Sequence, residues 1–199
     1  VAPRPARRVM TTGRVAPPAG PAPPARPALP AEYGPLVEEL HRRAAGRRQP
    51  VNGTFELTAR CNLACGMCYI RQPAWSAAEL AAELPARAWL DLAREAADHG
   101  MIFLLLTGGE VFLRPDFFEI YQPLTRMGLV ISLFTNGTLV TAGVAARLAE
   151  APPSRTDVTL YGASDAVYVR LTGARGSYAR CCAGIEALVS RRVPLELKA

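Results

Sequence analysis

Apolar stretches with strand character alternate with amphipathic stretches of helical period through residues 51–199, and this alternation constrains the fold more than any other feature. Five strands are predicted, centred near positions 53, 102, 131, 158 and 195. The main helices are predicted over residues 86–99, 116–126, 141–149 and 177–190. Strands that alternate with helices form β-α units and a parallel sheet. The sequence therefore predicts an α/β fold that binds ligands at the carboxyl edge of its strands.

Three cysteines, Cys61, Cys65 and Cys68, follow the first predicted strand in the spacing C-x3-C-x2-C. Three thiolates this close can bind three irons of a 4Fe-4S cluster, and no fourth cysteine lies nearby, so one iron would stay open. A zinc site is the alternative to an iron–sulfur cluster. Zinc prefers four N/S ligands, however, and neither His41 nor His99 is paired at ligand spacing. A disulfide framework is disfavoured because the chain is long and apolar and no signal peptide precedes it.

The apolar run over residues 101–106 predicts a fully buried parallel strand, which ends in Thr107-Gly108-Gly109-Glu110. The two glycines allow a tight turn and a close approach of the backbone to a ligand. Glu110 adds a carboxylate at the carboxyl end of the strand. Taken alone, this motif is also typical of a plain strand-to-helix turn.

Together these motifs resemble the radical S-adenosylmethionine (SAM) superfamily, in which the cysteine loop follows the first barrel strand and Gly-Gly-Glu ends the second. The resemblance continues through residues 130–138 and 158–164, and through a helical segment containing residues 170–177. These later parts look like the branch that modifies peptides and often carries a SPASM or twitch extension. The resemblance implies a partial parallel (β/α)6 barrel over residues 51–199, truncated in about the fifth strand.

The resemblance also implies the roles of several residues. The open iron would be chelated by the amino and carboxylate groups of SAM. Gly108, Gly109 and Glu110 would hold the ammonium by charge-assisted hydrogen bonds. Thr159 and Arg170 are the positions that we assign to the SAM carboxylate by similarity.

Three positions depart from the family's pattern. Met67 stands before the last cysteine, where an aromatic residue or His is common, so the cofactor pocket would keep an apolar wall without ring stacking. Val111 replaces a frequent Pro after Gly-Gly-Glu, and Tyr161 replaces a frequent Asp in the fourth strand. The departures leave the subfamily open.

We therefore expect a radical SAM enzyme that cleaves SAM reductively and uses the 5′-deoxyadenosyl radical on a peptide or small-molecule substrate. Expected partners are an electron donor such as flavodoxin or ferredoxin, and the missing barrel half or a SPASM domain. The alternative is a catalytically silent, cluster-binding fragment or split subunit that needs a second half. Cys181 and Cys182 are expected to pack as small apolar residues on the helix over residues 177–190.

The amino-terminal end has a different composition. Residues 1–32 are mostly Pro, Ala, Arg and Gly, which predicts a disordered tail, with a transit peptide as a rival interpretation. Residues 33–50 are expected to contain a short helix, for which docking of a leader peptide is a second hypothesis. The net charge of +6 originates in residues 1–50, so nucleic-acid binding is not expected. No run is long enough to span a membrane, and the cluster favours a reducing cytoplasm.

Overall fold

The structure is a computed structural model that describes residues 33–70 and 77–198. The prediction of a disordered tail over residues 1–32 lies outside the described residues. The helix predicted after the tail is present as α1, Tyr33–Arg47.

Five parallel strands form one sheet in the order of the chain. The strands are β1 (Asn52–Glu56), β2 (Phe103–Thr107), β3 (Val130–Thr135), β4 (Arg155–Thr159) and β5 (Leu195–Lys198). The sheet is not closed, because β1 and β5 each pair with a single neighbour within the described part of the chain. The predicted α/β fold with a partial parallel barrel is confirmed.

Helices connect the strands, and the four main ones lie within two residues of their predicted bounds. The helices after α1 are α2 (Ala77–Ala82), α3 (Ala86–Asp98), α4 (Phe117–Arg126), α5 (Ala142–Glu150), α6 (Asp165–Thr172) and α7 (Ser177–Ser190). The sequence did not predict α2 or the 3-10 turn Val111–Leu113, each of which is too short to show a helical period. Among residues 33–70 and 77–198, no helix has both the length and the apolar character needed to cross a membrane.

Local side-chain caps explain where two of these helices begin. The Thr141 hydroxyl accepts a hydrogen bond from the Val144 N–H at 3.2 Å at the start of α5. The Ser164 hydroxyl accepts from the Val167 N–H at 3.4 Å at the start of α6. Such caps satisfy N–H groups that have no partner inside the helix. At the other end of α6, Gly173 takes the left-handed conformation with φ 69°.

The hydrophobic core lies between the sheet and the helices on one of its faces. Leu104 and Leu106 of β2 are buried in this core, as are Ile131 and Leu133 of β3. Burial alternates along β2, so the prediction of a fully buried strand is only half correct. Leu105 points to the opposite face, which the described helices leave open as the inner wall of a cavity.

Candidate functional site

A cavity of about 340 Å³ lies at the carboxyl edge of the sheet. Its walls come from the loop after β1, the turn after β2 and the ends of β3 and β4. Carboxyl ends of parallel strands meet at one edge, which is why segments distant in sequence converge here. The predicted site residues that line the cavity are Cys61, Cys65, Met67, Cys68, Gly108, Gly109 and Thr159.

The cysteine loop is held in place by the end of α6. The Ala64 N–H donates to the Thr172 carbonyl oxygen at 2.8 Å, and the Gly66 N–H donates to the Leu171 carbonyl oxygen at 3.1 Å. Carbonyl oxygens at the carboxyl end of a helix lack hydrogen-bond donors within the helix, and here the N–H groups of the cysteine loop supply them. These two contacts fix the backbone on either side of Cys65.

The Gly-Gly turn lies directly against the chain that leads into the cysteine loop. The Gly109 N–H donates to the Thr58 carbonyl oxygen, and the Glu110 N–H donates to the Arg60 carbonyl oxygen, both at 2.7 Å. A Cβ at Gly109 would overlap the Arg60 carbonyl, and a Cβ at Gly108, where φ is 131°, would overlap that of Thr58. The glycines are therefore required for backbone packing as well as for access to the cavity.

Glu110 is fully buried and lies outside the described lining of the cavity. Its Oε1 accepts from the Phe112 N–H at 3.2 Å, and its Oε2 accepts from the Asn136 N–H at 2.8 Å. The Thr135 hydroxyl donates to both oxygens at 2.9 Å. Burial raises the pKa of Glu110, while these donors oppose the rise by stabilising the carboxylate. This geometry ties the turn after β2 to the end of β3, and the predicted contact with the SAM ammonium stays a prediction.

A polar cluster that the sequence did not predict connects β3 to the cysteine loop. The Asn136 Nδ2 lies 2.9 Å from the Asn62 Oδ1 and 3.7 Å from the Cys61 Sγ. The Asn62 Nδ2 in turn donates to the Thr138 hydroxyl at 2.8 Å. Asn136 and Thr138 belong to residues 130–138, one of the segments that carried the family resemblance, so the sequence indicated this segment but not its contacts.

An ion-pair network supports the residue before the first cysteine. Arg60 binds Glu83 through two hydrogen bonds of 2.8 and 2.9 Å, and Thr58 also donates to Glu83. Arg114, which is 5% exposed, lies 3.7 Å from Glu83 and donates to the Leu57 carbonyl oxygen at 2.8 Å. Burial acts to raise the pKa of Glu83, but the hydrogen bonds from Arg60 and Thr58 outweigh it and lower that pKa. No periodicity or motif marks these residues, because their partners are distant in sequence.

The three cysteines that line the cavity are of the residue type that binds a 4Fe-4S cluster. In residues 33–70 and 77–198, no three Cys, His, Asp or Glu side chains converge on one ion. A cubane does not need such convergence, because each thiolate binds a different iron. Burial raises the pKa of the Cys61 and Cys65 thiols, which favours their protonated form. Each thiol would therefore lose its proton when it binds metal. Three thiols on one cavity wall are the appropriate soft ligands for iron.

The remaining predicted residues differ in how close they lie to the cavity. Thr159 ends β4 and contributes to the wall, and Met67 also lines the cavity although 61% of it is exposed. Arg170 is exposed on α6 and does not belong to the described lining. Tyr161, noted above only as a departure from the family, lines the same cavity as Cys65.

Comparison with known proteins identifies the family. The model of the radical SAM superfamily matches residues 55–196. An AdoMet-dependent heme synthase of Methanosarcina barkeri is 36% identical over 143 residues, which are 72% of this chain and 40% of that protein. The PqqA peptide cyclase of Rhizobium meliloti is 33% identical over 150 residues, which are 75% of this chain and 39% of that protein. The chain thus spans about two fifths of the length of these curated enzymes.

Solved structures agree with this assignment at the level of the fold. Streptococcus suis SuiB bound to the precursor peptide SuiA superposes with a TM-score of 0.66 at 17% identity, covering 90% of this chain and 40% of SuiB. Native anSMEcpe with bound AdoMet superposes with a TM-score of 0.61 at 18% identity, covering 73% of this chain and 42% of that one. The chain belongs to the radical SAM superfamily.

Proposed function

We propose that this chain provides the cluster-binding part of a radical SAM enzyme that modifies a peptide or a peptide-derived substrate. The observation that carries the proposal is that Cys61, Cys65, Cys68 and the Gly108-Gly109 turn line one cavity at the carboxyl edge of the sheet. A peptide substrate is supported by a PqqA peptide cyclase among the relatives and by the neighbour SuiB, which was solved with a precursor peptide.

The three cysteines would hold the 4Fe-4S cluster, and the backbone of Gly108 and Gly109 would face the amino group of SAM. Thr159 would contact the SAM carboxylate from the end of β4. With the cluster and SAM bound, an external donor such as flavodoxin or ferredoxin would supply the electron for reductive cleavage of SAM, and this chemistry would abstract hydrogen from the substrate. The chain's own contribution is to position both groups in a cavity walled on one side by Leu105 and Phe134.

A remaining barrel half or a SPASM domain would contribute the rest of the substrate pocket. The described sheet does not close around the cavity, since its two edge strands, β1 and β5, do not pair with each other. A cytoplasmic location is part of the same proposal, because a reducing compartment preserves such a cluster.

Anaerobic reconstitution with iron and sulfide, followed by electron paramagnetic resonance of the dithionite-reduced protein, tests the proposal. We expect a reduced 4Fe-4S signal that changes when SAM is added, because SAM would bind the open iron. The matched control is Cys182→Ala, which removes a thiol outside the cavity lining and should leave the signal unchanged. A cluster that does not respond to SAM would support the alternative of a silent cluster-binding unit, and the absence of any cluster would refute both.

A further inference from the structure

Cys61 has a side-chain hydrogen-bond donor beside its sulfur. The Asn136 Nδ2 lies 3.7 Å from the Cys61 Sγ, within the usual range for a hydrogen bond to sulfur. This donor does not come from the cysteine loop itself, because Asn136 follows β3.

The orientation of the Asn136 amide is determined by its other contacts. Its Oδ1 accepts from the Thr138 N–H at 2.9 Å and from the Thr138 hydroxyl at 2.6 Å, so the NH₂ group must face the opposite way. One of the NH₂ protons is taken by the Asn62 Oδ1 at 2.9 Å, and the other is free to face Cys61. The Asn136 backbone N–H is fixed by Glu110, and the residue is 6% exposed. Because these contacts fix the Asn136 side chain, its NH₂ group stays directed at the Cys61 sulfur.

We propose that Asn136 is a positioning residue that donates a hydrogen bond to the cluster thiolate of Cys61 and thereby raises the reduction potential of the cluster. The inference rests on the proposed function. Reduction adds one electron from a low-potential donor to the cluster, with no bond formed or broken. Donors that face the sulfur atoms stabilise the added negative charge, so the cluster accepts the electron more readily.

The test is a redox titration of the anaerobically reconstituted full chain, followed by electron paramagnetic resonance. Asn136→Ala removes the NH₂ group and should shift the midpoint potential to a more negative value with the iron content unchanged. The matched control is Asn62→Ala, which removes the other acceptor of that NH₂ group and leaves the Asn136 amide beside Cys61. The control should leave the potential unchanged.

Asn136→Asp is the second variant, because it keeps an oxygen that can accept from the Thr138 N–H and hydroxyl but has no NH₂ group, and a more negative potential is again expected. Circular dichroism verifies that each variant retains the fold. Equal potentials in the unmodified protein and in folded Asn136→Ala would overturn the inference while leaving the proposed function intact. Loss of the cluster from folded Asn136→Ala would also overturn it, since the amide would then be needed for assembly. Absence of a cluster from the unmodified protein would overturn both.

Discussion

Replacing Glu110 with Gln tests whether this carboxylate anchors the fold or contacts SAM. Glu110 accepts hydrogen bonds from three donors: the N–H groups of Phe112 and Asn136 and the Thr135 hydroxyl. A Gln side chain offers one oxygen and one NH₂ group, so one backbone N–H would face another donor. The variant keeps the volume of the side chain and changes its charge and its hydrogen bonding.

The cost follows from these contacts. A buried N–H left without a partner costs about 1–3 kcal/mol, and the remaining bonds become weaker once the acceptor is neutral. The gain from no longer burying a charge offsets part of this loss. We expect a loss of about 3 kcal/mol in the free energy of unfolding, or about 6–12 °C in the melting temperature of a domain of this size. Thermal unfolding of the cluster-free protein, followed by circular dichroism, measures this change.

Glu186→Gln is the matched control, since Glu186 is exposed on α7 and its substitution should change stability by less than about 0.5 kcal/mol. Binding of SAM to the reconstituted protein is measured in parallel. An unchanged melting temperature in Glu110→Gln together with weaker SAM binding would refute the anchoring role. That result would instead support direct contact between Glu110 and the SAM ammonium.

Three further predictions concern the cysteine loop and its supports. Cys65→Ala should abolish the cluster absorbance after reconstitution, whereas Cys182→Ala should preserve it; a full 4Fe-4S signal in the first variant would contradict the ligand assignment. Gly109→Ala should destabilise the protein to urea by about 1–3 kcal/mol through overlap with the neighbouring carbonyl, while Gly143→Ala, which has room for a Cβ in α5, should not. Because the pKa of Glu83 is lowered from 4.5, its stabilising contribution is present above that pH and is lost as the pH falls through the lowered value. Glu83→Gln should therefore lose less stability than the unmodified protein between about pH 5 and pH 3, and equal losses would refute this role.

The sequence alone was sufficient for the fold class and for the strongest ligand candidates. Apolar strands separated by amphipathic helices are local patterns, and the helix predicted over residues 177–190 has those bounds in the structure. The three cysteines lie within a stretch of eight residues, so a single loop carries all three thiols. The Gly-Gly turn was also visible, because glycine pairs mark places where the backbone needs unusual freedom.

Only the tertiary structure decided what these motifs contact. Glu110 ends a strand at the carboxyl edge, yet its carboxylate is turned into the protein and held by residues that end β3. Arg60 and Glu83 meet through a side-chain pair that spans 23 residues, and Asn136 reaches Cys61 across 75 residues. Periodicity and spacing report on neighbours along the chain, whereas these contacts depend on how strands and loops converge at one edge of the sheet. Sequence determined which elements form, and packing of those elements determined which polar groups meet.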